Sequence, residues 1–140
     1  MNPATHAFVL DCATTMTWLF PDEATSTSLT LLKRLTSEAA VVPLLWPLEV
    51  ANVTLNGEKR GRITRADADE FIMLLHGLRI TVEEDTERRA WDGVLRLARE
   101  QGLTVYDAAY LELALRLGLP LATLDNDLIR AATTLGVTLL

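Results

Sequence analysis

Several acidic residues stand where short apolar runs end or where amphipathic runs begin. Asp11 follows the run AFVL, and Asp125 follows LATL, with Asp127 two residues later. Glu49 follows AAVVPLLWPL, and Asp107 lies near the start of VYDAAYLELALRLG. Carboxylates that converge in one cleft repel one another and take up protons, a penalty that a divalent cation removes. Oxygen ligands without His or a second Cys favour Mg²⁺ or Mn²⁺ over zinc, and such ions suit phosphoryl chemistry.

Each of these acids also fits a simpler role at the start of a helix. Aspartate is a good N-cap, and negative charge stabilises the first helical turn. Taken singly, Asp11 and Glu49 fit this role better, and Asp125 fits capping and metal binding equally well. Asp107 fits it least, because at helical spacing it shares a face with apolar residues, where an unpaired carboxylate is costly. The elements that position the acids must decide between the two roles.

Those elements alternate between short apolar runs and longer amphipathic ones. The pattern predicts strands over 7–11, 39–44, 79–84, 120–125 and 137–140. It predicts helices over 14–20, 23–38, 46–61, 63–78, 85–102, 104–118 and 126–136. Strands separated by helices need crossover connections, so we expect an α/β fold, a three-layer α/β/α sandwich with a mainly parallel sheet. Ligands of such sheets bind at the carboxyl ends of the strands, where Asp11 and Asp125 stand.

Length and composition set the broad class of the protein. The 140 residues, 49% of them hydrophobic, are predicted to form one domain, 1–140. The single cysteine, Cys12, forms no internal disulfide, and the N-terminal MNPATHAFVLD lacks a signal-peptide pattern, so we expect a cytoplasmic protein without membrane contact. A net charge of −6 argues mildly against nucleic-acid binding, although EKRGRITR forms a local basic cluster.

Four ordered stretches carry the most specific signal in the chain. They are AFVLDCATTMTWLFPDE, VVPLLWPLEVANVTL, GLTVYDAAYLELALRLGLPLATLDNDLIRAA and the closing GVTLL. Together they cover nearly the whole chain and resemble the motifs of PIN-domain ribonucleases, more narrowly those of VapC-type toxins of toxin–antitoxin pairs. The resemblance implies a PIN-like fold and an endoribonuclease that uses Mg²⁺ or Mn²⁺ to hydrolyse RNA phosphodiester bonds.

Four acids match the metal site of that family one by one. The resemblance implies that Asp11, Glu49, Asp107 and Asp125 are catalytic and hold one or two metal ions. Asp127 matches a position whose acid is often present, so we expect it to be an auxiliary ligand.

Three further positions resemble supporting residues of the family site. Thr123 matches the small hydroxyl residue before the last acid, and Asn52 matches the polar partner one turn after the glutamate. Many relatives carry Ser or Thr two positions after the first Asp, where this chain has Ala13. We therefore expect Thr14 or Thr15 to supply that hydroxyl.

The resemblance also implies partners: an RNA substrate, a cognate antitoxin and a second copy of the chain in a homodimer. Relatives are silenced by a partner segment laid along an apolar groove that leads into the acidic site. We expect Trp18, Phe20, Leu31 and Trp46 to supply the apolar surface, and Trp91 to serve as a core or interface residue.

The sequence is also compatible with two other classes of protein. One is a non-catalytic PIN-like module that binds RNA or protein and whose acids only cap helices. The other is a DNA-directed nuclease or a metal-dependent phosphatase, which needs nearly the same acids. An aspartyl-phosphate mechanism is disfavoured, because Ala13 occupies the second position of the expected D-x-D pair.

Overall fold

A four-stranded parallel sheet forms the centre of the computed structural model, which describes residues 6–140. The strands are β1 (His6–Leu10), β2 (Ala39–Pro43), β3 (Ile80–Glu83) and β4 (Leu121–Ala122). Their order across the sheet is β3-β2-β1-β4, and each pair of neighbours is parallel. The two central strands are almost wholly buried, as expected of parallel strands covered on both faces.

Helices connect the strands and complete the predicted α/β/α fold, which is confirmed. They are α1 (Cys12–Met16), α2 (Ser26–Arg34), α3 (Trp46–Lys59), α4 (Arg65–His76), α5 (Thr86–Arg89), α6 (Leu95–Gln101), α7 (Val105–Leu117) and α8 (Asn126–Thr134). A 3₁₀ turn spans Pro21–Glu23, between α1 and α2. A π-helical turn at Ala90–Val94 joins α5 to α6, where the sequence pattern predicts one continuous helix.

Local sequence signals explain where several helices begin and end. Thr64 and Asp67 form a reciprocal capping box at the start of α4, as their spacing predicts. Gly102 and Gly118 end α6 and α7 with φ values of 65° and 66°, in the left-handed region that glycine enters without steric cost. These ends place the starts of α7 and of β4 beside the carboxyl end of β1.

The last part of the chain departs from the predicted strands. The strand predicted over 120–125 pairs with β1 only at Leu121–Ala122, because the residues that follow turn to begin α8. The strand predicted over 137–140 contributes a single parallel bridge, between Leu121 and Leu139. The shortening of β4 brings Asp125 to the edge of the sheet as the N-cap of α8.

Burial corrects the expectation of an apolar docking surface on the first helices. Phe20, Leu31 and Trp46 are buried in the core, so they are not available to a partner. Trp18 is half-buried and donates its indole N–H to the backbone oxygen of Ser28, 2.9 Å away. Trp91 is 92% exposed and therefore does not belong to the core. Hydrophobic spacing identifies apolar faces but does not reveal which of them another element covers.

Among residues 6–140, no helix combines the length and apolar character that crossing a membrane requires.

Candidate active site

Two of the predicted acids meet because their strands are neighbours in the sheet. Leu10 of β1 pairs with Ala122 of β4, and the backbone N–H of Asp11 donates to the carbonyl of Ala122 at 3.1 Å. Asp11 follows β1 directly, and Asp125 follows β4 by three residues. Both carboxylates therefore lie at the carboxyl edge of the sheet, where parallel α/β folds bind ligands.

Two helices bring the other two acids to the same edge. Glu49 lies in the first turn of α3, and Asp107 lies in the first turn of α7, whose N-cap is Thr104. All four predicted acids line one cavity of about 310 Å³. The remaining lining residues are Cys12, Ala13, Met16, Glu23, Val53 and Tyr110. The structure thus places Asp11, Glu49, Asp107 and Asp125 together, although they are far apart in sequence.

Helix capping and convergence on one cavity occur together at the two strand ends. Asp11 Oδ1 accepts the backbone N–H of Thr14 at 2.9 Å and caps α1. Asp125 Oδ1 accepts the backbone N–H of Leu128 at 2.9 Å and caps α8. Each hydrogen bond restrains the carboxylate while the residue still lines the cavity. Capping is therefore not an alternative to a binding role for these two acids.

Thr123 links the carboxylates of the two strands. Its hydroxyl donates to Asp11 Oδ2 and accepts the backbone N–H of Asp125 at 3.0 Å. Asp11 is 3% exposed and Thr123 is 6% exposed, so both partners of this bond are shielded from bulk water. The small hydroxyl residue before the last acid thus has a direct contact with the first one.

The two threonines after Ala13 make contacts with the backbone. The Thr14 hydroxyl donates to a backbone oxygen of β4 at 3.4 Å, and that of Thr15 donates to the backbone oxygen of Asp11 at 2.8 Å. Trp46 Nε1 in turn donates to the Thr15 hydroxyl at 3.0 Å. These bonds hold the turn that carries Asp11, and neither threonine lines the cavity.

Burial makes the charged form of Asp11 costly. It raises the pKa of this carboxyl group, and the negative charge of Asp125 raises it further. Hydrogen bonds from Thr123 and Thr14 stabilise the carboxylate and lower the pKa in part. Burial likewise raises the pKa of the Cys12 thiol to about 12, so this cysteine stays protonated at neutral pH and is no thiolate nucleophile.

Glu49 and Asp107 experience the same two effects with different neighbours. Burial raises the pKa of Glu49, and the charges of Asp107 and Asp11 add to the rise, against a hydrogen bond from Tyr110. Burial also raises the pKa of Asp107, and Asp125 and Asp127 add to it. The carboxylates of the cavity therefore interact electrostatically, as groups that share one site must.

Besides Thr14 and Thr123, two further predicted site residues, Asn52 and Asp127, do not line the cavity. Asn52 is exposed on α3, and its neighbour Val53 lines the cavity instead. The side chain of Asp127 is 71% exposed and lies 3.9 Å from Arg130. Its charge nevertheless acts on the pKa of Asp107, which places it at the rim of the site.

Sequence reasoning missed two polar residues of the cavity. Tyr110 is 1% exposed, and its hydroxyl donates to Glu49 Oε1, a contact that spans 61 residues of chain. Glu23 adds a fifth carboxylate, which forms a 2.9 Å ion pair with Arg62. The spacing of Tyr110 three residues after Asp107 is a sequence signal that points to the same helix face.

Arg62, a member of the basic cluster EKRGRITR, forms ion pairs and contacts an aromatic ring. Its guanidinium pairs with Asp22 and Glu23 and stacks over the ring of Phe20, 3.9 Å from the ring centroid. An added Cβ on Gly57 would lie 2.8 Å from Phe20 Cζ. Only glycine leaves room for this ring in α3.

The donor set of the cavity fits a hard divalent cation. Its polar lining consists of carboxylates and one phenol, with no imidazole, and the Cys12 thiol is protonated. Among residues 6–140, no three His, Cys, Asp or Glu side chains are drawn together tightly enough to coordinate one ion as placed. A bound cation therefore requires the carboxylates to move closer to a common point than the structure places them.

Comparisons with known proteins agree with the fold and with the motifs. Residues 9–133 match the family model described as PIN domain. The crystal structure of PAE2754 from Pyrobaculum aerophilum superposes with a TM-score of 0.71 at 24% identity, covering 96% of this chain and 84% of that chain. No curated protein shows a significant sequence match.

Proposed function

The chain belongs to the PIN domain family, and on that premise we propose that it is a metal-dependent endoribonuclease, the toxin of a toxin–antitoxin pair. The observation that carries the proposal is the convergence of Asp11, Glu49, Asp107 and Asp125 on one cavity at the carboxyl edge of the sheet. PIN domains have a nuclease-type fold and generally use divalent metals. The choice of RNA and the toxin role rest on the resemblance of the motifs.

The mechanism follows from what the side chains of the cavity do. The four carboxylates would hold the ion, and Thr123 keeps Asp11 oriented toward Asp125. When bound, Mg²⁺ or Mn²⁺ supplies Lewis acidity and neutralises charge on a phosphodiester and its leaving oxygen. No side chain of the cavity is an activated nucleophile, because the Cys12 thiol stays protonated. We propose that water, and not a protein side chain, is the attacking group, which makes the reaction a hydrolysis.

Thermal melting with and without Mn²⁺ or Mg²⁺ tests the metal site directly. A ligand of the native state raises the melting temperature by mass action, equivalent to about 2.7 kcal/mol at a hundredfold excess over Kd. We expect this rise in the wild type and in the control Asp69→Asn, whose carboxylate is exposed on α4. We expect its loss in Asp107→Asn. Metal-dependent cleavage of a fluorogenic RNA should follow the same order, and full cleavage by folded Asp107→Asn would disprove the assignment.

The same experiment discriminates the non-catalytic alternative. A PIN-like module that only binds RNA or protein needs no cation, so its melting temperature would not respond to Mn²⁺ or Mg²⁺. A metal response combined with cleavage of DNA or phosphomonoesters, but not of RNA, would favour another phosphohydrolase. Matched RNA and DNA oligonucleotides of one sequence separate these outcomes in a single assay.

For the antitoxin we propose a groove between the segment after α1 and helix α4. Its volume is about 470 Å³, and its lining includes Trp18, Ile63, Leu74 and the acids Asp67 and Glu70. Apolar and acidic residues together suit an amphipathic segment with basic side chains.

The groove lies next to the acidic cavity, because an ion pair joins a residue of the groove to a residue of the cavity. Arg62 lines the groove and pairs with Glu23, which lines the cavity. A partner segment in the groove would therefore lie beside the acidic cavity.

Co-purification from the native operon tests this partner. A small protein should accompany the wild type and Met73→Asp, because Met73 is 74% exposed and outside the groove lining. Leu74→Asp, inside the groove, should lose it. If no small protein accompanies the wild type, the antitoxin proposal fails.

We further propose a homodimer in the cytoplasm. Large apolar side chains remain exposed near the starts of α3 and α7, with Leu48 76% exposed and Tyr106 65% exposed. Trp91, which is 92% exposed, adds to the apolar surface of the chain. Sedimentation analysis should give twice the chain mass for the wild type and a monomer for Leu48→Glu.

A further inference from the structure

The hydroxyl of Tyr110 is the neutral polar group of a cavity otherwise lined by carboxylates and apolar side chains. Tyr110 lies one helical turn after Asp107 on α7 and is 1% exposed. A buried phenol needs a hydrogen-bond partner, and this one donates to Glu49 Oε1. The contact therefore ties the carboxylate of α3 to the helix that carries Asp107.

Glu49 depends on this contact more than its aspartate neighbours depend on theirs. Asp11 and Asp125 are each held by a backbone N–H at the start of a helix. Glu49 has a longer side chain with more rotatable bonds. Among residues 6–140, its carboxylate accepts a hydrogen bond from the Tyr110 hydroxyl. Without this hydrogen bond, the Glu49 carboxylate accepts no other side-chain hydrogen bond within residues 6–140.

We propose that Tyr110 is a positioning residue that orients Glu49 for a divalent cation, an inference that rests on the proposed function. The hydroxyl occupies one lone pair of Oε1 and leaves Oε2 available to the ion. A phenol hydroxyl is a neutral donor, so it holds Glu49 without adding negative charge. Partners of metal ligands that act in this way typically change metal affinity by about 10–100-fold when removed.

Tyr110→Phe removes the hydroxyl and keeps the ring that packs in the core. Mn²⁺ titrations followed by the melting temperature should show affinity weakened about 10-fold, with the metal-free melting temperature close to that of the wild type. Tyr106→Phe is the matched control, because its ring is 65% exposed one turn earlier on the same helix. It should bind Mn²⁺ like the wild type.

A double-mutant cycle shows whether Tyr110 acts through Glu49. In the Glu49→Gln background, Tyr110→Phe should produce little further loss of affinity, because the oriented carboxylate is already gone. Independent, additive losses would overturn the inference. Equal Mn²⁺ affinity of Tyr110→Phe and the wild type would also overturn it, while leaving the metal site intact. No metal response in the wild type would instead defeat the proposed function, and the inference with it.

A second measurement keeps the hydroxyl at position 110. The chain contains two tyrosines, so the Tyr106→Phe protein labelled with fluorotyrosine reports on Tyr110 alone. Its ¹⁹F resonance should shift with Mg²⁺, with the same midpoint as the thermal stabilisation. A resonance that does not respond to saturating Mg²⁺ would overturn the positioning role, even if Tyr110→Phe does not fold.

Discussion

The Thr123 hydroxyl donates to Asp11 Oδ2 inside the protein, and the hydroxyl oxygen of Thr123 accepts the backbone N–H of Asp125. One side chain thereby sets the positions of two acids that follow neighbouring strands. Thr14 holds the other oxygen of Asp11 through its backbone N–H. The first and last acids of the cavity thus form one hydrogen-bonded unit before any ligand enters.

Replacing Thr123 by Val should destabilise the protein. The Asp11 carboxylate is buried and loses a donor, which costs about 1–3 kcal/mol of unfolding free energy. Thr123→Ser keeps the hydroxyl and should stay much closer to the wild type. Urea denaturation at pH 7 measures the difference, and equal losses in the two variants would mean that the methyl group matters instead.

Without divalent ions, the acidic cavity should become a source of instability as the pH rises. The pKa values of Asp11, Glu49 and Asp107 are raised, primarily by burial, so the folded state binds protons more tightly than the unfolded state. Their contribution to stability is present below the ordinary carboxyl pKa of about 4 and is lost as the pH rises through the raised values.

The Asp107→Asn variant isolates this effect. In EDTA, the unfolding free energy of this variant should increase relative to that of the wild type as the pH increases from 4 to 7. The increase should be about 1 kcal/mol or less, because Asp107 is only partly buried and solvent screens its charge. Melting temperatures of both proteins across this range provide the measurement. A difference in melting temperature that does not change with pH would show that the charge of Asp107 does not destabilise the folded protein.

Metal affinity should change with pH in the opposite sense to the metal-free stability. Mn²⁺ competes with protons for carboxylates whose pKa values are raised, so its Kd should fall as the pH rises from 5 to 7. Calorimetry in two buffers of different ionisation enthalpy should detect proton release on binding at the lower pH. Binding that is independent of pH would place the ion outside this cavity.

Gly57 should not tolerate a methyl group, although it lies within α3. An added Cβ would lie 2.8 Å from Phe20 Cζ, and the guanidinium of Arg62 stacks on the Phe20 ring. Gly57→Ala should therefore lower the unfolding free energy by about 1–3 kcal/mol, despite the better helix propensity of alanine. Gly77→Ala is the control, because its Cβ would meet the nearest atom at 3.5 Å. Equal stability of the two variants in urea would show that the ring shifts freely.

The placement of the four acids could be predicted from the sequence, because it follows from where the strands end and the helices begin. Asp11 and Asp125 follow apolar runs, and parallel strands bring such ends to one edge. Asp107 follows the cap residue Thr104, as the pattern of α7 indicates. Each position depends on local signals and on one general rule of sheet topology.

Side-chain contacts between different helices and strands could not be predicted from the sequence in the same way. The Tyr110–Glu49 bond joins residues 61 positions apart, and its existence depends on how α3 and α7 pack. Phe20 and Trp46 are apolar in any interpretation of the sequence, but only the fold shows that other elements cover them. Periodicity gives the apolar face of a helix and not the identity of its neighbour.

The order in which the strands pair also governs when the site first exists during synthesis. β4 is the last strand of the sheet along the chain, yet it pairs with β1, the first. A nascent chain that has emerged from the ribosome only as far as Gln101 carries Asp11 and Glu49 but lacks Asp107 and Asp125. The cavity therefore assembles only after Asp125 and the strand that pairs with β1 have been synthesised, so under the proposed function a shorter nascent chain lacks the assembled site.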